Sequence, residues 1–359
     1  MLRKELVQLN IRLAAAFVLS IGLLVLGVTS GCVEASPSKK IKEIILNEPI
    51  PAGDGAVLHA DPRFELIISP DVKIEKLADG FNFTEGPVWS RVGSRLLFSD
   101  VRGNTIFEWS VSQGVQSYID PVFEGDTTGY SSYASNGLTL DSSGRLIMCE
   151  HGNRVISRVE VDGTRTTLVA DYLGMRLNGP NDATYDSNGL LYFTDLGSGL
   201  EGRDDSPLRE LDFNGIYRLS PDGSLELLYR DQPRPNGIAL SPDETTLYVA
   251  NSSFEEKMWM AYDVETDGLS NPRVFFDVSD ETADGLADGM KVDSRGNVFA
   301  TGPGGVWVFS PEGIHLGTIM PDEYPANVAW GDDGQTLYMT AQTGLYRVRL
   351  MTDGPIPGP

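Results

Sequence analysis

The chain has 359 residues, with 28 Lys and Arg against 51 Asp and Glu, a formal net charge of −23, and 41% hydrophobic and 22% charged residues. The composition suits a large globular domain, but the acidic balance argues against nucleic acid, whose phosphates need a surplus of Lys and Arg on some face. Three histidines leave little room for a His-rich zinc site, and two cysteines cannot build a disulfide framework. Any chemistry must therefore rest mainly on carboxylates, amides and an oxygen-bound metal.

The amino terminus reads as an address. Arg3, Lys4 and Arg12 precede an apolar run over 13–28, short for a membrane span and suited to a signal-peptide core. Thr29-Ser30-Gly31-Cys32 then places small residues before a cysteine, resembling a bacterial lipoprotein signal, although Thr29 stands where Leu, Val or Ile is usual. The reading is a signal over 1–31, an exported product that is periplasmic or membrane-anchored through lipid on Cys32, and a tether and lead-in over 32–71. With Cys32 modified, Cys149 is the remaining thiol.

From residue 81 onward, within a domain over 72–350, one pattern recurs: a short apolar run, a turn, a stronger β run, another turn and a third β run. Arg95–Asp100, Arg145–Glu150, Leu190–Asp195, Thr246–Asn251, Asn297–Gly302 and Thr336–Ala341 are the second runs, spaced by roughly fifty residues. Asp-Gly turns such as Asp162-Gly163 and Asp222-Gly223 lead into fourth runs. Six four-stranded units predict an all-β, six-bladed β-propeller. The last unit lacks an outer strand before the tail over 351–359. Residues 72–79 look like the fourth runs elsewhere, so this early strand is expected to complete the sixth blade.

About ten residues before each second run stands one polar residue: Glu85, Asn136, Asn181, Asn236, Asp288 and Asn327. Each precedes an inner-strand run, so all six are expected in a ring at one end of the channel. The second strands return to the same face, which predicts that Asp100, Glu150, Asp195 and Asn251 add polar groups around the mouth. Asn-Gly and Asp-Gly are ordinary turn formers, but six in phase, including Glu85 in Glu-Gly-Pro, point to function. Buried carboxylates without Lys or Arg at equivalent positions require a cation. A Glu, Asp and Asn oxygen set favours a hard divalent ion, calcium first, then magnesium or manganese, with zinc less natural without His or Cys.

The segments FTEGPVW at 83–89, CEHGNR at 149–154, RLNGPND at 176–182, RPNGIALSPDETTLYVAN at 234–251 and ADGMKVDSRGNVF at 287–299 resemble the gluconolactonase/SMP-30 (regucalcin)/LRE-like family of six-bladed propellers. The resemblance implies a divalent metal held by Glu85, Asn236 and Asp288, a substrate-facing Asn181, and Asp288 as the group that transfers a proton. It also implies hydrolysis of a sugar lactone to the aldonic acid. The chain departs from many bacterial members after Phe193-Thr194-Asp195: a long insert, Leu196 to about Asp212, is expected at the mouth as a lid or a surface loop.

Asn136 and Arg176 are further candidates for sugar hydroxyls, and His151, which begins a loop on the metal face, is a candidate to bind substrate or shuttle a proton, or else caps that turn. His59 and His315 suggest no chemistry. No Gly-x-Ser-x-Gly elbow, Walker loop, dinucleotide fingerprint or paired-cysteine metal motif is present. Two competing readings are a related metal-dependent esterase or phosphotriesterase, and a non-catalytic exported propeller that binds a sugar or protein.

Overall fold

Six short inner strands line a central channel in which each packs against the next and the sixth against the first. They are Thr84–Ser90, Ser135–Leu140, Pro180–Tyr185, Pro235–Leu240, Met290–Val292 and Pro325–Gly331. Each begins an antiparallel sheet that meanders outward through three more strands, giving an all-β six-bladed propeller. The structure, a computed structural model, describes residues 47–359. The predicted signal over 1–31, Cys32 and the first part of the tether lie outside the described residues.

Two segments differ from the sequence reading. Residues in the second half of the expected tether are built into the domain: Pro49–Pro51 and Gly55–His59 form a hairpin whose second strand pairs with His315–Pro321, extending the fifth sheet to six strands. Alternating burial of Val57 and His59 explains the placement, since one face of this strand covers the sheet edge. A 3-10 turn, Pro62–Leu66, then drives Phe64 into the core, where a side chain at Gly317 would collide with it. Ile74–Asp79 follows and pairs with Gly344–Arg349 as the outer strand of the sixth sheet. His59 packs edge-on against Phe64, and His315 lies tilted against Trp307 with ring centroids 4.4 Å apart, so both are structural.

The tail over 351–359 also packs. Thr352 Oγ1 donates to the buried Asp293 carboxylate (2.7 Å), Gly354 lies against the Trp330 indole, and Ile356 is buried. Its partners lie where inner strands end, so the tail crosses the channel end opposite the lead residues.

Five inner strands share one irregularity. The pairing register shifts between Glu85 and Val88, Ser135 and Leu138, Pro180 and Ala183, Pro235 and Ile238, and Pro325 and Asn327. A bulge breaks the two-residue alternation and re-aims side chains, which turns the polar lead residues toward the channel. Around the ring the backbones nearly touch. A Cβ added at Gly86 would fall 2.0 Å from Asn136 O, at Gly137 2.5 Å from Asn181 O, and at Gly237 2.3 Å from Asp288 O. Hydroxyls then tie neighbouring sheets together: Ser99 Oγ donates to Asn136 O (2.9 Å), Thr194 Oγ1 to Asn236 O (2.6 Å) and Thr301 Oγ1 to Ala326 O (2.8 Å).

The glycines after the lead residues are therefore packing requirements. Gly237→Ala should cost about 1–3 kcal/mol, because the added methyl meets backbone that must move. Urea denaturation of the variant measures this, and an unchanged midpoint would contradict the close-approach account.

Candidate functional site

At the lead-residue end of the channel lies a cavity of about 190 Å³ whose walls include Glu85, Asn136, His151, Asn181, Asn236 and Asp288. Five of the six expected ring residues thus share one space with His151. It is smaller than sites for drug-sized ligands and suits one small molecule. A larger groove of about 780 Å³ between Ser69–Glu75 and Arg347–Met351 contains none of these residues.

Asn327 does not line the cavity. It is buried behind it, and its Nδ2 donates to Glu85 Oε2 (3.0 Å) and Asp182 Oδ2 (3.3 Å). Asp182, almost fully buried, is a functional candidate that the sequence reading missed. Strict alternation would send it away from Asn181, but the bulge between Pro180 and Ala183 lifts that rule. The available signal was Asp182 itself, standing where four other blades have glycine.

The carboxylates are under strain of charge. Burial, then nearby Asp182, pushes Glu85 up from 4.5 to about 7, with hydrogen bonds from the Gly86 N–H and Asn327 pulling the other way. Burial, then Glu85 and Asp182, raises Asp288 well above the carboxylate range. Asp182 is raised by burial and eased by Lys291. No Lys or Arg forms an ion pair with any of the three among the described residues. Asp288 Oδ1 and Asn136 Oδ1 are sealed from solvent without a hydrogen-bond donor. Asn236 Nδ2 donates to Ser252 Oγ (2.8 Å), which fixes the amide and leaves its Oδ1 as the acceptor.

Among the described residues no three His, Cys, Asp or Glu side chains converge as a metal-binding group. The cavity offers two carboxylates, Glu85 and Asp288, and a third oxygen ligand would have to be an amide such as that of Asn236. This donor set is hard and oxygen-only, and it fits calcium or magnesium better than zinc.

His151 is buried beneath the insert, and burial lowers its pKa to about 4, so the imidazole is neutral at pH 7. Its Nδ1 faces Ser132 Oγ (3.2 Å) and its Nε2 faces Asn136 Nδ2 (3.5 Å).

The ends of the second strands serve a different purpose from the one expected. Asp100 accepts the N–H groups of Asn82, Phe83 and Gly103, and Asp195 those of Asn178 and Gly179. Asn251 Oδ1 accepts the Arg234 N–H (2.9 Å). These groups hold the turns just before Glu85, Asn181 and Asn236 and do not line the cavity. Glu150 is likewise engaged, with Asn153 and Ser157. Arg176 stands apart as well. It is exposed on the hairpin formed by Asp171–Tyr172 and Met175–Arg176, with Nη2 donating to Asn153 O (3.2 Å). The buried arginine nearby is Arg154, which donates to Leu177 O and Leu208 O (both 2.6 Å).

The insert after Asp195 forms a wall. It contains two 3-10 turns, Gly197–Gly199 and Arg203–Asp205, and Leu196, Leu200 and Leu211 are buried. Ser131 N donates to Gly199 O (2.9 Å) and Glu201 N to Gly129 O (2.8 Å), tying the insert to the second blade. Ser198 and Arg203 reach the cavity, and Ser198 Oγ faces Asn181 Nδ2 (3.5 Å).

Because folding raises the pKa of Glu85, the folded state holds a proton more tightly than the unfolded chain between about 4.5 and 7. The resulting stability is fully present below the unfolded value and is lost as pH rises through the folded one. In a strong chelator, Glu85 should therefore contribute a loss on the order of 2 kcal/mol between pH 5 and pH 7.5, read from calorimetric melts as the wild-type change minus that of Glu85→Gln, a difference in which the opposite contribution of His151 and the parallel one of Asp288 cancel. Identical pH dependence in wild type and variant would contradict this assignment.

The family model for the SMP-30/gluconolactonase/LRE-like region matches residues 83–343. The gluconolactonase of Zymomonas mobilis is 37% identical over 311 residues, covering 84% of this chain and 87% of that protein. The pentonolactonase of Haloferax volcanii is 28% identical over 72% of this chain and 81% of its own length. A solved gluconolactonase structure from Xanthomonas campestris superposes with a TM-score of 0.72 at 30% identity, over 86% of this chain and 99% of that one. With most of the propeller and the Glu85, Asn236 and Asp288 segments inside the matched region, the chain belongs to the SMP-30/gluconolactonase/LRE-like family.

Proposed function

We propose that the chain hydrolyses a sugar lactone to the aldonic acid in the Glu85–Asp288 cavity, with a divalent cation held by Glu85, Asn236 and Asp288. The observation that carries this reading is the pairing of proton-hungry buried carboxylates with a sealed, unpartnered Asp288 Oδ1. Family membership supplies the lactone, and the all-oxygen donor set favours calcium, with magnesium or manganese next and zinc last. When bound, the cation supplies Lewis acidity at the lactone carbonyl and counter-charge for the tetrahedral oxyanion.

The chain's own residues supply the rest. The Asp288 carboxylate, which lines the cavity, takes the proton of the attacking water as the water oxygen adds to the carbonyl carbon. The ring carbon–oxygen bond then breaks, and the leaving oxygen takes the proton held by Asp288 to become the chain hydroxyl, which returns the carboxylate to its starting state. Asn181 and Asn136 are placed on the cavity wall to hydrogen-bond sugar hydroxyls, with Asn136 oriented by the neutral His151. Leu196, Leu286 and Phe254 give the wall its apolar part and limit water. Lactones are activated esters, so positioning, one base and charge stabilisation suffice. The lipoprotein-like amino terminus supports export, with Cys32 as the lipid site.

The test is a pH-stat assay of glucono-1,5-lactone hydrolysis on chelator-stripped protein, before and after calcium, magnesium, manganese or zinc is restored. Turnover should vanish on stripping and return most fully with calcium. Asp288→Asn, with cation content measured separately, should lower kcat by about 10²–10⁴. Full activity in the stripped protein, or in the variant, would overturn the assignment.

A further inference from the structure

The mouth of the cavity carries charge of the opposite sign to the rest of the protein. Arg102, Arg203 and Arg234 all line it, in a chain whose net charge is −23. Arg234 is accounted for, since its Nη1 pairs with Asp204 (2.9 Å). Asp204 also takes Arg209 (3.4 Å), so that carboxylate is shared. Arg102 and Arg203 have no such partner: among the described residues neither forms an ion pair or a side-chain hydrogen bond.

Both are nevertheless held. The Arg102 guanidinium lies 5.1 Å from the centroid of Phe83, and that of Arg203 lies 5.1 Å from the centroid of Phe254. Phe254 is 58% exposed, so it works as a platform at the rim and adds little to the core. Stacking restrains the guanidinium plane through its face, while the edge that carries the N–H donors stays open to a ligand. Arg203 also sits close enough to Arg234 to disfavour the latter's charge. Placing like charges together in an acidic chain has a cost that an anionic ligand would relieve.

We propose that Arg102 and Arg203 form an anion clamp at the mouth, and that the substrate is a lactone carrying a second, anionic substituent, a carboxylate or phosphate remote from the ring carbonyl. This rests on the lactonase reading and adds the substrate class to it. The floor of the cavity is acidic and receives the carbonyl end. The rim is basic and receives the far end, so the two ends of such a molecule are read by opposite charges. Charge-assisted, bidentate contacts of this kind discriminate strongly between charged and neutral groups.

The experiment compares glucono-1,5-lactone with the same ring bearing a carboxylate or a phosphate at carbon 6, at fixed ionic strength, on wild type, Arg102→Ala, Arg203→Ala and the double variant. One of the anionic lactones should show kcat/KM at least about tenfold above the neutral one, identifying which anion is read. Each single variant should cut that preference several-fold, and the double variant should reduce it to about one. Arg203→Lys should recover part of it. No preference in wild type, or equal losses on neutral and anionic lactones, would overturn the clamp while leaving the lactonase standing.

A parallel calorimetric titration uses an open-chain six-carbon dicarboxylate and the matching monocarboxylate, neither of which can be hydrolysed. Tighter binding of the dicarboxylate, lost in the double variant, would uphold the clamp even if no lactone were turned over. Equal binding of the two in wild type would count against it.

Discussion

Three carboxylates, Glu85, Asp182 and Asp288, are buried near one another at one end of a channel, and much of the surrounding architecture serves to hold them there. Each alone would resist burial, and together they repel. Lys291 is the one basic side chain that eases both Glu85 and Asp182. Asn327 bridges the same two with its amide. Neither relieves Asp288 Oδ1, which is sealed from solvent without a donor. A fold that keeps this cluster must gain something from it, and a bound cation is the simplest gain.

The scaffold fixes the cluster by repetition. A bulge at the start of an inner strand turns a lead residue inward, a small residue after it lets the next blade approach, and a hydroxyl from a second strand fastens the junction. The polar ends of the second strands, Asp100, Asp195 and Asn251, hold the preceding turns by their backbone N–H groups. Division of labour follows from this: acids at the strand ends hold turns, while Glu85 and Asp288 at the strand starts line the cavity. The parts of the cavity wall that do not repeat are the insert after Asp195, His151 beneath it and the arginines stacked at the rim, and the proposed clamp draws on the last of these.

Much of this was legible in the sequence. The recurrence of six β runs gave the number of blades, because a four-stranded meander repeated at roughly fifty residues has few other solutions. The phase of Glu85, Asn136, Asn181, Asn236 and Asp288 placed them together. Several things were hidden. Alternation argued against Asp182, since a bulge cannot be read from residue types alone. The acids ending the second strands were placed at the mouth because strand direction gives the face but not the partner. Arg176 was favoured by its motif, whereas position on a hairpin decides its exposure. The lead-in looked like a linker because its Pro and Ser content obscured a short edge strand. Nothing in the spacing foretold that Arg102 and Arg203 would find aromatic platforms.

The most direct test of the central claim is crystallographic. Crystals of the stripped protein soaked in a calcium salt, with anomalous data collected, should show one peak bounded by Glu85, Asn236 and Asp288, at the ordinary calcium–oxygen distance of about 2.3–2.6 Å. Such a peak would show that the buried acids exist to hold a cation. An ordered, cation-free cluster with hydrogen-bonded protons in its place would contradict the account.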